Sequence, residues 1–317
     1  MDAGLDGDQE LTAVPGVPTV PGSGPARQDP AAVRASSFLH RSPRVRLAAL
    51  LAAPMAWLVV AYLGSLAVMF AAAFWSTDGF TGALIKQASW DNFRILVQEP
   101  VYRKIALRTV GVAAAVTVID ALTALPIAFY MAKVAGRQAR RLLVAAILTP
   151  LWASYLVKAY AWRVMLAADG PVNWVLGPLH ISGPGYGLTA VTLTLAYLWL
   201  PYMILPVYAG LERLPDSLLE ASSDLGAPAG RTFRSVVLPL VFPSLVAGSI
   251  FTFSLSLGDY ISVKIVGGRT QLLGNVIYDN IGVAANLPFA AAAAVLPVVA
   301  ILLYLSLVRR TGALENL

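Results

Sequence analysis

The sequence predicts an all-α, polytopic membrane protein with six transmembrane helices, and three observations carry that prediction. Of the residues, 58% are hydrophobic and only 13% are charged, and the mean hydropathy is +0.70, outside the range of ordinary soluble domains. Six stretches, about 47–74, 107–132, 142–162, 187–210, 236–257 and 289–308, are each apolar over the roughly 20 residues that cross a hydrocarbon layer about 30 Å thick. The basic residues gather in the short segments between alternate stretches, as they do beside membrane spans.

In chain order, residues 1–42 are rich in Pro, Gly, Ala and small polar residues and hold few large apolar groups to bury. They are expected to be a disordered tail. No apolar run follows a basic start, so the segment does not read as a secretory signal. Arg41, Arg44 and Arg46 precede the first apolar stretch, and Lys133, Arg137, Arg140 and Arg141 crowd the 133–141 loop. Arg213, Arg231 and Arg234 lie in the 211–235 loop, and Arg309 and Arg310 close the last stretch before a short tail, 311–317. The positive-inside rule therefore predicts that these segments and both termini are cytoplasmic, in a multi-pass membrane protein. The loops 75–106, 163–186 and 258–288 are then expected to face outward. The first of them carries Trp75, Trp90, Phe93 and Tyr102, and the second is full of breakers (DGPVNWVLGPLHISGPGYG). Trp152, Trp162, Trp174 and Trp199 are expected at the ends of spans, where amphipathic rings prefer to lie.

Several chemistries are excluded at this stage. There is no cysteine, which removes disulfides, thiolate metal sites and thiol nucleophiles. The two histidines, His40 and His180, are expected on opposite sides of the membrane, so a paired-His metal site is not expected. No GxxxxGK[ST] run occurs, so this chain has no P-loop for ATP, and any ATP-driven work belongs to a partner. The net charge of +6 is accounted for by basic residues flanking spans, without nucleic acid.

A few polar residues stand out. Asp120 lies near the middle of the second apolar stretch, where a carboxylate costs at least about 2.5 kcal/mol. Either it faces a cavity or solute path, or it bonds Thr117, Thr123 or a neighbouring subunit. Lys158 and Arg163 close the third stretch, where long basic chains reach toward the interface. Asp259 and Tyr260 follow the fifth stretch, among Gly258, Gly267 and Gly268. Irregular backbone at membrane depth survives only beside protein or a wet cavity. A carboxylate beside an aromatic ring there suits a cationic solute, although a solvated loop residue reads the same way.

The segment Leu211–Pro243 is the long polar insertion of the second half. Pro215 suits a first helical turn and Gly226 a helix end, which predicts a helix over Pro215–Leu225. Leu218, Ala221 or Ser222, and Leu225 then form a narrow apolar stripe. Glu212, Asp216, Glu220 and Asp224 repeat every fourth residue on another face, and each like-charged pair at that spacing costs about 0.2–0.5 kcal/mol. An isolated helix gains nothing from this ladder, so the face is either solvated or meant for a partner.

The run Glu220-Ala221-Ser222, then three residues, Gly226, nine residues and Val236-Val237-Leu238-Pro239 resembles the cytoplasmic EAA signature of bacterial ABC importer permeases, E-A-A-x3-G-x9-I-x-L-P. Ser222 and Val236 depart from it by small changes. Leu125–Tyr130, Pro150–Trp152, Ser154–Trp162, Asp169-Gly170 with Asn173, Leu257–Tyr260, and Gly274-Asn275 with Asn286–Pro288 are similar to the spermidine/putrescine subgroup of these permeases. That subgroup usually has Arg at Lys158 and Trp at Leu287. The resemblance covers about residues 45–310. It implies a six-helix, MetI-like permease domain, 43–310, paired with a second permease, two copies of a cytoplasmic ATPase and an extracytoplasmic solute-binding protein. Glu220, Ala221, Ser222, Asp224, Leu225, Gly226, Leu238 and Pro239 would then form the ATPase-coupling loop. Tyr155, Lys158, Tyr160 and Trp162, with Asp120, Asp259 and Tyr260, become candidates for the translocation path. The chain itself is expected to be no enzyme and to hold no cofactor, with ATP and Mg²⁺ on the ATPase.

The substrate expected from the resemblance is a polyamine. A permease for another organic solute or an inorganic anion stays open, since Lys158, Arg163 and Lys264 suit an anion where Asp120 and Asp259 suit a cation. A stand-alone secondary transporter would need an inverted repeat or several mid-membrane acids, and a membrane enzyme would need clustered His, Asp or Ser motifs. Neither pattern is apparent in the sequence.

Overall fold

The computed structural model describes residues 43–78 and 81–310. The expected disordered tail, 1–42, and the short tail, 311–317, lie outside the described residues. The chain divides into two units, 1–64 and 65–317. In the first, α1 (Pro43–Leu58) opens into a wide π-turn, Val59–Leu63. Helix α2 (Gly64–Ala72) leads into the second unit, which holds a two-stranded antiparallel ribbon, β1 (Ser76–Thr77) on β2 (Leu84–Ile85).

The remaining helices follow in order. They are α3 (Asp91–Gln98), α4 (Pro100–Phe129) with a π-turn at Tyr130–Val134, α5 (Arg137–Trp152), α6 (Tyr155–Met165) and α7 (Pro171–Leu176). After these come α8 (Leu188–Glu212), α9 (Asp216–Asp224) and α10 (Ala229–Thr232). A π-turn at Phe233–Val237 then leads to α11 (Leu238–Gly258), α12 (Ile261–Val266), α13 (Leu273–Gly282) and α14 (Leu287–Arg310). By length and composition, Leu50–Ala72, Pro100–Val134, Leu188–Glu212, Ala229–Gly258 and Leu287–Arg309 can cross a membrane.

The third predicted span is different. Residues 142–162 form no single rod: α5 and α6 meet at 98°, so a sixth crossing exists only if this bent pair counts as one. Ala153 and Ser154 are both extended, with ψ 142 and 136, and two extended residues are enough to swing the chain. Pro150 lies one turn earlier and has no N–H to give the preceding turn. In α8, by contrast, Pro201 and Pro206 sit within an unbroken helix, as neighbouring helices permit in an apolar setting.

Helices α4, α8 and α11 pack against one another as the central layer. Lys133, just past α4, bonds the carbonyl of Leu214, just past α8, so these two run parallel, and α11 returns against both. One apolar cluster lies at the Glu220 end and includes Ala128, Met131, Val207, Leu211 and Val237. A second, including Val116, Ala159, Val191, Leu195 and Val263, lies at the opposite end. Hydroxyls link the layer at mid-depth: Thr252 Oγ1 lies 3.4 Å from Thr117 Oγ1, and Ser249 Oγ 2.6 Å from the Tyr304 hydroxyl. Inter-helix bonds of this type are each worth roughly 0.6 kcal/mol in a membrane.

Candidate functional sites: the 211–239 loop and the polar pocket

At the Glu220 end, Pro215 is the residue before α9 and not its first turn, because its ψ of 133 is extended. The other end of the helix is as the spacing predicts. Gly226 has φ +72, its N–H bonds the Ser223 carbonyl at 2.8 Å, and the N–H of Ala227 bonds Ser222 at 3.1 Å. This paired closure needs a residue at ease with positive φ, which is what glycine supplies.

The predicted apolar stripe is divided between two faces. Leu219 packs into the core cluster, and Ser222 Oγ lies 2.8 Å from Thr232 Oγ1, so these residues hold α9 to the bundle. Leu218 and Leu225 are 41% and 88% exposed and remain on the outer face with Ala221. Behind α9, Phe233 packs edge-on to Phe129, 6.0 Å between centroids, at the end of α4. Leu219, Phe233 and Val237 thus tie the loop mechanically to the central helices. Leu238 is half-buried and Pro239 exposed, within the first residues of α11 where a proline needs no N–H.

The acidic ladder is resolved residue by residue. Glu212 accepts from the Tyr208 hydroxyl and faces Arg140 at 3.5 Å. Asp216 is 2.7 Å from the Lys133 ammonium. Among the described residues, Glu220 and Asp224 form no ion pair, and both are exposed. The ladder's repulsion is therefore relieved within the chain at its first two steps and left open at its last two.

At the opposite end, three helices converge on Asp259. Tyr155, at the start of α6, donates its hydroxyl to Asp259 Oδ2 and lies 2.6 Å from Ser262 Oγ. Asp259 Oδ1 accepts the Ser262 N–H at 2.9 Å, and the carboxylate is 8% exposed. It is not the solvated loop residue that the sequence also allowed. Trp199 of α8 stacks on Tyr155 with centroids 5.9 Å apart, and its Nε1 is buried without a hydrogen-bond partner among the described residues. Trp199, Ser254, Leu255, Gly258, Asp259 and Tyr260 line a pocket of about 280 Å³. Trp199 is therefore at mid-helix in this pocket, and not at a span end as expected. Gly274 allows the close approach of α13, because a Cβ there would lie 2.9 Å from the Asp259 carbonyl oxygen.

Tyr260 stacks on Tyr278, 4.6 Å between centroids. Lys264 places its ammonium 3.8 Å from the Tyr278 centroid and 2.8 Å from Asp279. Arg163 donates to the Ile265 carbonyl and sits over Tyr186.

The other path candidates are more scattered. Trp162 packs on Tyr197 at 5.5 Å against the core, and Tyr160 is 55% exposed. Lys158 is half-buried and makes no ion pair among the described residues. Asp120 is 1% exposed, and its Oδ2 has no hydrogen-bond partner among the described residues. Neither expected threonine serves it. Thr117 donates to the Ala113 carbonyl, and Thr123 to those of Ile119 and Asp120. Sequence reasoning missed Ser262 and the pocket role of Trp199. Ser262 lies three residues after Asp259, the spacing at which a carboxylate caps a helix start, and that signal was available.

The chain can be compared with known proteins on this footing. The family described as "Binding-protein-dependent transport system inner membrane component" matches residues 124–312. The inner membrane ABC transporter permease protein YdcU of Escherichia coli K12 is 42% identical over 299 residues, covering 90% of this chain and 95% of that protein. The spermidine/putrescine transport system permease protein PotB of Haemophilus influenzae is 32% identical over 244 residues, covering 75% of this chain and 84% of that one. The crystal structure of a bacterial ABC transporter involved in importing the acidic polysaccharide alginate has the same fold, with a TM-score of 0.62, 16% identity, and coverage of 87% of this chain and 99% of that one. The exposed Glu220–Gly226 loop and the helical bundle that carries it belong together in one lineage: the chain is a member of the binding-protein-dependent transport family, the inner membrane permease subunits of ABC importers.

Proposed function

We propose that this chain pairs with a second permease to form the path of an ATP-driven importer for a polyamine such as spermidine or putrescine, delivered by an extracytoplasmic binding protein. On this reading the Glu220 end and both termini face the cytoplasm, and two ATPase subunits receive the 211–239 loops. The observation that carries the cation reading is the pocket, where the Asp259 carboxylate meets the rings of Tyr155, Trp199 and Tyr260. A carboxylate with aromatic faces attracts ammonium groups through charge and ring quadrupole together. The kinship with PotB supports the same substrate class.

Closure of an ATPase dimer would carry α9 as a rigid body, and Leu219 and Phe233 would pass that motion to α4, α8 and α11. The bundle then rocks, and the Tyr155–Asp259–Ser262 bonds open to admit solute. Tyr160, Lys158 and Trp162 lie on the same helix as Tyr155 and move with it. Asp120, whose Oδ2 has no hydrogen-bond partner among the described residues, would gain one when the helices part. An anionic cargo is the second reading, and it draws on Lys158 alone, because Arg163 and Lys264 are already engaged.

The test is uptake of labelled putrescine and spermidine into vesicles holding the complete complex and its binding protein. ATP-dependent accumulation of either is expected. If the complex hydrolyses ATP for a binding protein loaded with another solute and moves neither polyamine, the substrate assignment falls while the importer assignment stands.

A further inference from the structure

We propose that one face of α4 is a binding site for an anionic phospholipid, with the phosphate on Arg103, Lys104 and Arg108 and an acyl chain in the groove that continues below them. Pro100, Arg103, Lys104, Leu107 and Arg108 surround one open cleft of about 620 Å³. These positions recur every three to four residues, so they share one side of the helix. No ion pair reaches the three basic groups among the described residues, and Glu99 is the single acid between Asn92 and Ile119. The cluster sits at the end of the bundle opposite Glu220, far from the basic 133–141 loop.

The same face continues as Val110, Ala114 and Thr117, and there it forms one wall of a cleft of about 530 Å³. Phe253 of α11 and Leu303, Tyr304 and Leu307 of α14 complete that cleft. The cleft offers little to a polar guest. Thr117 gives its hydroxyl to the Ala113 carbonyl, and that of Tyr304 is paired with Ser249. Val118, Leu303 and Leu307, which line it, are 56%, 66% and 63% exposed, and Leu107 in the basic cleft is 75% exposed. From Arg108 to Val118 the helix rises about 15 Å, half of the roughly 30 Å hydrocarbon layer. A basic cluster over a dry groove one leaflet deep matches an anionic headgroup over an acyl chain, and charge complementarity chooses it over a zwitterionic lipid.

The experiment is native mass spectrometry of the complete complex in mild detergent, titrated with phosphatidylglycerol and, separately, phosphatidylcholine. Wild type is expected to retain phosphatidylglycerol preferentially. R103Q/K104Q/R108Q is expected to weaken that retention on the order of a hundredfold, at about 1 kcal/mol per basic group near an anionic surface. A114F, which fills the groove and leaves the charges, is expected to weaken both lipids. Equal retention of the two lipids by wild type, or unchanged retention by the triple variant, overturns the proposal. Glycerol phosphate competing as strongly as the lipid also overturns it, because the groove then plays no part. So does a triple variant that keeps its lipid and loses affinity for the binding protein, since the basic cluster then serves an acidic protein surface.

Discussion

The two ends of the central layer treat their acids in opposite ways. At the Glu220 end, Glu220 and Asp224 are exposed and form no ion pair among the described residues, and Leu218 and Leu225 lie exposed beside them. At the other end, Asp259 is buried and both its oxygens are bonded within the chain. A surface left incomplete within its own chain is suited to another protein. A carboxylate completed by its own chain needs a conformational change before a solute can replace its partners. On the proposed function, the difference separates where force enters from where solute passes.

The largest effect expected is from Glu220→Arg, which should reduce ATP-driven uptake to background while the chain remains in the membrane fraction. Normal uptake with normal copurification of the ATPase would erase the contrast between the two ends. Asp259→Asn should lower uptake about tenfold or more and leave ATPase copurification intact; equal loss of both would mean that the pocket only supports the fold. Removing the carboxylate altogether, Asp259→Ala, orphans the Ser262 N–H and leaves the Tyr155 hydroxyl with Ser262 Oγ, at about 1–3 kcal/mol, readable as a lower Tm. Asp120→Asn should lower uptake severalfold, and unchanged solute affinity and rate would leave it a packing residue. The smallest effect on uptake is expected from Lys133→Met, which frees Asp216, itself largely solvated, and removes the ammonium from the Leu214 carbonyl; it should cost about 1–3 kcal/mol with uptake within twofold of wild type. If it proved as damaging as Glu220→Arg, the position of the loop and not its bare face would carry the coupling.

The sequence was most legible where chemistry is local. The Glu220-to-Gly226 spacing predicted a helix end that the positive φ of Gly226 bears out, and long apolar runs marked the helices that can cross a membrane. What faces what was much less legible. Helices such as α8 and α11 are apolar on every side, so no periodicity says which side meets a neighbour. That is why Trp199 was expected at an interface. The bend between α5 and α6 was hidden for a related reason: Pro150 is a kind of residue that membrane helices also carry without breaking, as Pro201 does in α8.

The π-turns at Tyr130–Val134 and Phe233–Val237 have one further consequence. Each holds one residue more than a regular α-helical ladder requires, and each lies where a central helix meets the loop end. One residue corresponds to about 100° of rotation and 1.5 Å of rise. Deleting a single residue from Phe233–Val237 would therefore close the wide turn into a regular one and leave its two flanks near their present azimuth. Deleting one from the regular turns of α11 would instead swing one side against the other by more than a quarter of a circle. The wide turns are thus places where these helices can change length by one residue without turning the loop against the span.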